Sequence, residues 1–419
     1  MGAESVPPSP APSKPSKSPR IAGGSIATAF PSCDARLLAA MAPHLWGSPK
    51  ALDTDLVLPT ASNVLDFASA YKAAHPLPQC MRLTNGKIYM RKVHDIISAQ
   101  LMDAKSAVVV GTSGVGKTMF LWLEVAQRLT RSQPCAWLLH DSVVLIRSAA
   151  AEVLPFASLT DTSGFEEAIL YIDWSLALEV AGPRPHVLRP EAYSLIEFCK
   201  GVIMATAPYE ERWSELQTRW LHTLNVVVMP PWSFHEVHDG ASTLMSFNSP
   251  TTVNRLVDRF GSIPLTIMSI LSYGPTHSDA IWNQLLLAVR RHPEGARGLR
   301  QFMDTSGALS YPILPKDLLT IFLISPGDFE DLSWENSRCV LRSHELTKTV
   351  QERANEEYAA ERVALRPRQS HAQLPLSPAM LAAAAPQTHV HQTPHVTPGL
   401  QVKTPYMKAG VNGSLPLFP

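Results

Sequence analysis

The stretch GTSGVGKTM at residues 111–119 has the residue types and spacing of a phosphate-binding loop. In a G-x-x-x-x-G-K-T loop the backbone N–H groups turn toward a phosphate, and the N-terminus of the next helix adds its positive dipole end. The lysine is expected to reach the β and γ phosphates and the threonine to ligate Mg²⁺. We predict that the loop binds ATP and Mg²⁺ through Gly111, Thr112, Ser113, Gly114, Val115, Gly116, Lys117, Thr118 and Met119.

An acidic residue follows a second apolar run, LYID, about 55 residues further along the chain. A phosphate-binding loop needs such a carboxylate on a neighbouring strand to hold the hydration shell of the metal. Asp173 is therefore predicted to share the metal with Thr118, although any acidic residue can end a strand. Many ATPases place a glutamate directly after this aspartate to polarise water, and here the position holds Trp174. Binding is predicted more firmly than hydrolysis.

Four further side chains are candidates for contacting the nucleotide. Thr206 ends the apolar run GVIMAT, where its hydroxyl would face the γ phosphate or simply cap a strand. Arg212 or Arg259 would stabilise charge on the transferred phosphate, in cis or across a subunit interface, or would be an ordinary solvated arginine. Pro264 is predicted to begin a helix and to lie beside the adenine. We assign catalytic roles to Lys117, Asp173, Thr206 and Arg212.

Six short apolar runs surround these residues, and helical patterns separate several of them. The runs are rich in β-branched residues, as strands buried on both faces of a parallel sheet are. We predict an α/β fold, a three-layer P-loop NTPase with a mostly parallel sheet, followed by a smaller helical subdomain and disordered termini. The predicted strands are SAVVVG, PCAWLLH, SVVLIRS, AILYIDW, KGVIMATA and LNVVVMP.

Composition divides the chain into five predicted regions. Residues 1–75 are rich in Pro and Ser and are predicted to be largely disordered, with a few helical turns such as DARLLAAMAPHLW. The α/β core occupies 76–230. After residue 231 the strands are predicted to stop, giving a helical subdomain over 231–335 and a charged helix over 336–366. Residues 367–419 form a proline-rich tail without acidic residues, predicted to be disordered.

Several classes of function are disfavoured by the composition. The 36 basic and 36 acidic residues balance, so the chain has no overall attraction to nucleic acid or to anionic membranes. The five cysteines are scattered without a C-x-x-C spacing, which predicts reduced thiols rather than disulfides or a zinc site. No apolar run is long enough to span a bilayer, and no conventional secretory signal is visible at the N-terminus.

The motifs, taken in their order along the chain, resemble those of the P-loop NTPase domain of Crinkler effectors and retrotransposon-hot-spot proteins. The resemblance covers residues 80–275, and its most specific part is MPPWS at 229–233. The sequence departs from the family's pattern at Leu265, where the family has an arginine after Ile-Pro. The matching positions are Tyr89 and Arg91, the loop at 111–118, Asp173, Thr206 with Pro208, Met229 to Ser233, and Gly261 with Pro264.

The resemblance implies a Mg²⁺-dependent ATPase or nucleotide switch in which Tyr89 and Arg91 flank the base or ribose. It also implies placement in the nucleus and a site that is often completed by a second subunit or another protein partner. Two alternatives stay open: a catalytically weak nucleotide-binding scaffold, favoured by Trp174, and a protein that contacts nucleic acid through basic terminal segments. The sequence does not choose between ATP and GTP.

Overall fold

The structure, a computed structural model, describes residues 32–54, 57–58, 61–71, 76–103, 106–159, 162–174, 188, 190–208, 212–219, 224–292, 295–305, 322–326, 331–334 and 336–365. The predicted disorder of residues 1–31 and 367–419 lies outside these ranges. All five cysteines are free thiols. In the part of the chain that is described, no helix is long and apolar enough to cross a bilayer.

The described residues between 32 and 71 are more ordered than the sequence predicts. Leu37, Leu38 and Met41 of the first helix are fully buried, because the apolar residues of DARLLAAMAPHL recur at helical spacing and pack on the central sheet and on the helix after the loop. Three short strands form an antiparallel sheet in the order β1-β2-β3. The elements are α1 (Cys33–Leu45), α2 (Ala51–Thr54), β1 (Val57–Leu58), β2 (Ala61–Asp66), α3 (Phe67–Ala70), β3 (Lys87–Tyr89) and α4 (Lys92–Asp103).

A seven-stranded sheet forms the centre of the α/β core and confirms the predicted fold class. Its elements are β4 (Ser106–Val110), α5 (Lys117–Thr130), β5 (Cys135–Leu138), β6 (Ser142–Ile146), β7 (Ala151–Pro155), β8 (Ile169–Asp173), α6 (Pro190–Phe198), β9 (Gly201–Thr206), α7 (Ser214–Arg219) and β10 (Leu224–Val228). The strand order is β10-β4-β9-β8-β5-β6-β7, and the five strands from β10 to β5 are parallel. All six predicted strands are present. The exposed edge strand β7 was not predicted.

The two faces of the sheet bury two separate apolar cores, which accounts for the three layers. Successive residues of a strand point to opposite faces. Val108 of β4 belongs to one core, which includes residues of α6 and of the C-terminal helices, whereas Val109 belongs to the other, with residues of α1, α4 and α5. Leu170 and Tyr171 of β8 divide in the same way. The apolar runs are continuous because both faces are covered.

Helices dominate the chain after β10, but the prediction that strands stop there is wrong. A hairpin of β11 and β12 follows the helices, and β12 occupies the start of the segment predicted as a charged helix. Residues 331–334 also contact β10, where Val227 pairs with Ser333. The elements are α8 (Phe234–Met245), α9 (Pro250–Phe260), α10 (Pro264–Tyr273), α11 (Pro275–Arg291), α12 (Gly295–Thr305), β11 (Phe322–Pro326), β12 (Ser337–Leu341) and α13 (His344–Leu365).

Local sequence explains where these helices begin. A capping box of Ser233 and Glu236 starts α8. The next three helices each begin with a proline, where a missing N–H costs nothing and the proline φ angle suits a helix. These are Pro250 in α9, Pro264 in α10 and Pro275 in α11. The N–H of Leu265, in the first turn of α10, donates to the carbonyl oxygen of Gly114, so α10 begins beside the loop between β4 and α5.

Candidate functional site

The loop between β4 and α5 has the conformation that its glycines predict. Gly114 and Gly116 adopt φ angles of +85° and +107°, which residues with a Cβ rarely adopt. A Cβ on Gly114 would also lie 2.9 Å from the Cβ of Leu265, and one on Gly111 would lie 2.7 Å from the carbonyl oxygen of Met229. The loop is therefore shaped by positive φ angles and by the close approach of α10 and of the segment after β10.

The sheet order brings the predicted metal ligands together at one edge. β9 separates β4 from β8, and Asp173 at the end of β8 lies beside Ala205 in the register of β9. The hydroxyl of Thr118, in the first turn of α5, donates a hydrogen bond to Oδ2 of Asp173. Asp173 is only 3% exposed. A hydroxyl and a carboxylate in contact form the oxygen donor pair that suits Mg²⁺ bound to a nucleotide.

Lys117 is folded back onto the loop that it follows. Its Nζ donates hydrogen bonds to the carbonyl oxygens of Gly111, at 2.7 Å, and Thr112, at 3.0 Å. Burial lowers the pKa of Lys117 to about 8; the negative charge of Asp173 opposes this shift, and the positive charge of Arg212 adds to it. An incoming phosphate would stabilise the ammonium group and offer it stronger acceptors than these carbonyls.

Thr206 and Arg212 meet directly at the same edge of the sheet. Thr206 ends β9 opposite Val110 and is 2% exposed, and its Oγ1 accepts a hydrogen bond of 3.2 Å from Arg212. The guanidinium carbon of Arg212 lies 5.7 Å from the centre of the Trp174 ring. Arg259, the other candidate arginine, is absent from the residues lining the cavity described next, and instead forms ion pairs with Asp279 and Glu345.

A cavity of about 690 Å³ opens over the loop. This is within the size range of ligand sites in proteins. Nearly all predicted site residues line it, and the exceptions are Gly111 and Arg259. The lining includes Tyr89, Arg91, Thr112, Ser113, Gly114, Val115, Gly116, Lys117, Thr118, Met119, Asp173, Thr206, Arg212 and Pro264.

Tyr89 and Trp232 form an aromatic part of the cavity wall. Their ring centres are 5.1 Å apart, and the Tyr89 hydroxyl donates a hydrogen bond of 3.3 Å to Asp239. Burial, followed by the charge of Asp239, raises the pKa of Tyr89 to about 12, so the phenol is neutral. The Trp232 indole N–H donates to the carbonyl oxygen of Val115 at 3.0 Å. The MPPWS segment therefore contacts the loop between β4 and α5 through its tryptophan.

Arg91 donates its hydrogen bonds to other groups of the protein. It is 4% exposed, and its Nε and Nη2 donate to the two carboxylate oxygens of Glu236, at 2.9 and 3.1 Å. It also donates to the carbonyl oxygens of Pro230, at 3.1 Å, and Pro231, at 2.9 Å. Its guanidinium carbon lies 5.6 Å from the centre of the Trp232 ring. These contacts fix the segment that follows β10, so the predicted contact with base or ribose receives no support from them.

Sequence reasoning missed two contributions from the C-terminal hairpin. Arg342, directly after β12, lines the cavity and donates to the carbonyl oxygen of Phe260, at 2.6 Å, and to the Thr266 hydroxyl. Ile324 of β11 donates its backbone N–H to the Thr112 hydroxyl at 3.1 Å. All three contacts join residues more than 70 positions apart, so no local pattern signals them.

Comparison with known proteins adds little to this geometry. No protein-family model matches the chain, and no curated protein matches it. Among solved structures, the S. cerevisiae Hsp104-ADP complex is similar at 15% identity over 65% of this chain and 39% of that chain, with a TM-score of 0.26. A similarity this low supports no argument about function. The resemblance to Crinkler NTPases therefore remains a prediction from the motifs.

Proposed function

We propose that this protein binds a nucleoside triphosphate, ATP, together with Mg²⁺. The observation that carries the proposal is the convergence of Lys117, Thr118, Asp173, Thr206 and Arg212 on one cavity over a glycine-rich loop. Lys117 and the loop amides would hold the phosphates. Thr118 and Asp173 would hold the metal, which would screen the phosphate charge when bound. Among the described residues no group of three or more His, Cys, Asp or Glu forms a metal cluster, and a metal shared with phosphate oxygens requires none.

The base would lie against the apolar part of the cavity. Tyr89, Trp232, Pro264 and Met268 supply aromatic and aliphatic surface on its wall. Tyr89 keeps its proton, and its hydroxyl is held by Asp239, so a flat, neutral heteroaromatic ring would contact a rigid surface. This arrangement supports the proposal of an adenine site, in which Pro264 would lie beside the ring as the sequence predicts.

Two functional classes fit this site. In an ATPase or nucleotide switch, Arg212 would stabilise the charge that develops during phosphoryl transfer, and Thr206 would hold Arg212 in place. In a scaffold, the nucleotide would bind without turnover. The buried Trp174 favours the scaffold, because an indole cannot accept a proton from water at the position next to Asp173.

A thermal-shift assay with ATP and Mg²⁺ tests binding. Ligand at 100 times its Kd should stabilise the protein by about 2.7 kcal/mol, and Lys117→Ala should abolish most of that shift. Lys200→Ala is the matched control, because Lys200 is an exposed lysine whose only described ion pair is a long one with Glu167. The proposal fails if wild-type protein shows no shift, or if Lys117→Ala and Lys200→Ala respond alike.

ATP turnover then separates the two functional classes. An ATPase should release phosphate at a rate that Lys117→Ala reduces at least tenfold, because that substitution removes a charged contact to the phosphates. A thermal shift without turnover above the Lys117→Ala background supports the scaffold.

A further inference from the structure

Trp174 lies where the motif pattern leads one to expect a water-activating carboxylate, yet it is part of the cavity wall. It follows Asp173 directly, is 2% exposed and lines the same cavity as Lys117. Its indole N–H has no hydrogen-bond acceptor among the described residues. The indole nitrogen is itself buried, so the tryptophan can act on the site only through its ring.

Contacts with Trp174 and Thr206 orient the guanidinium group of Arg212. Its carbon lies 5.7 Å from the centre of the Trp174 ring, within the range of a cation–π contact. Its Nη1 donates to Oγ1 of Thr206 at 3.2 Å. Both supports are buried side chains at the carboxyl ends of neighbouring strands, β8 and β9, so the position of Arg212 is set by the rigid sheet.

This position is at the metal-binding end of the cavity. Thr118 and Asp173 mark that end, and Lys117 is close enough to Arg212 for the two cations to interact. In a loop of this kind the β and γ phosphates lie beside the lysine and the metal. Arg212 is therefore placed for the terminal phosphate rather than for the base.

Building on the proposed function, we propose that Trp174 is a positioning residue that holds Arg212 toward the terminal phosphate, so that the site prefers a nucleoside triphosphate to a diphosphate. A carboxylate at position 174 would pair with Arg212 and repel phosphate. An indole ring supports the guanidinium group without adding a negative charge beside the phosphate. The tryptophan thus favours holding the triphosphate over activating water.

Titration calorimetry with AMPPNP and with ADP, both with Mg²⁺, tests this role. Trp174→Leu should weaken AMPPNP binding about tenfold and change ADP binding less than twofold, since it removes the ring under Arg212. Trp174→Phe keeps a ring and should retain most of the preference. Arg212→Gln should lose the preference, and adding Trp174→Leu to it should cause no further loss, because the tryptophan acts through the arginine.

The outcomes separate the two proposals. If wild-type protein binds neither nucleotide, the proposed function fails. If it binds both, but Trp174→Leu weakens both equally or its effect persists undiminished in the Arg212→Gln background, Trp174 only supports the fold and the inference is overturned. Should Trp174→Leu not fold, Arg212→Lys provides the same test: it keeps the charge but loses the planar group that stacks on the ring. An unchanged preference in that variant would then overturn the inference.

Discussion

Arg91→Met separates a structural role of Arg91 from the nucleotide contact that the sequence predicts. Arg91 donates four hydrogen bonds, two to Glu236 and two to the carbonyl oxygens of Pro230 and Pro231. Methionine fills similar space but offers no donor. We therefore expect a large loss of stability, together with unchanged nucleotide affinity in the molecules that remain folded.

The size of that loss follows from burial. The Arg91 side chain is 2% exposed and that of Glu236 20%. Removing one partner of a buried ion pair costs about 3–5 kcal/mol, because the other charge is left without its partner. Glu236 keeps its bond from the Ser233 backbone N–H, which favours the lower part of this range. A domain stable by about 5–15 kcal/mol would remain measurable.

Urea denaturation of Arg91→Met, Glu236→Gln and the double variant measures the coupling between the two side chains. Arg147→Met is the control, because Arg147 pairs with Glu152 at the surface, where both side chains are about half exposed, and should cost less than about 1 kcal/mol. A loss in Arg91→Met no larger than the control, accompanied by weakened ATP binding, would refute the structural role and favour direct contact with nucleotide.

Three further substitutions test other parts of the structure. Thr112→Val should cost about 1–3 kcal/mol in urea denaturation, because it leaves the buried N–H of Ile324 without an acceptor, whereas Thr112→Ser should cost less; equal losses would contradict this. Gly261→Ala should destabilise the protein more than Gly274→Ala, although both glycines have positive φ angles. A Cβ at position 261 would lie 1.9 Å from the carbonyl oxygen of Arg342, whereas a Cβ at position 274 would meet nothing within 4 Å. Burial raises the pKa of Asp34 from 3.8 to about 6, so its ionisation costs stability as the pH rises between these values. Asp34→Asn should therefore increase the free energy of unfolding at pH 7.5 by up to about 3 kcal/mol, seen as a higher Tm, but should not do so at pH 4. An equal change at both pH values would refute this.

Local patterns predicted the parallel part of the sheet because each strand carries its own signal. Both faces are covered, so every residue of β4 and β8 is buried and the apolar runs stand out. β7 and β12 lack this continuous apolar run. The residues of β7 are largely exposed, and those of β12 alternate between buried and exposed. The order of α1 was underestimated, because its apolar face is covered by elements distant in the chain.

The residues of the candidate site likewise fall into two groups, those that local sequence places and those that only the folded chain brings together. The loop, Asp173 and Thr206 could be placed from the sequence because strand ends of a parallel sheet meet at one edge. The partners of Arg91 and the position of Arg342 depend on contacts across more than 70 residues. Trp174 could be noticed only as a missing carboxylate, since its contact with Arg212 follows from the folded arrangement.

The loop between β4 and α5 is also the point where separate C-terminal elements meet. Thr112 accepts a hydrogen bond from β11, Gly114 from the start of α10, and Val115 from the MPPWS tryptophan. Lys117 now donates to carbonyl oxygens of this loop and would have to leave them to bind a phosphate. Because one of these carbonyls belongs to Thr112, whose hydroxyl holds β11, a change in the loop on binding would reach the hairpin directly. Nucleotide binding should therefore slow amide hydrogen exchange at Ile324, and Thr112→Val should abolish that protection while Lys117 still binds phosphate; unchanged exchange would refute this coupling.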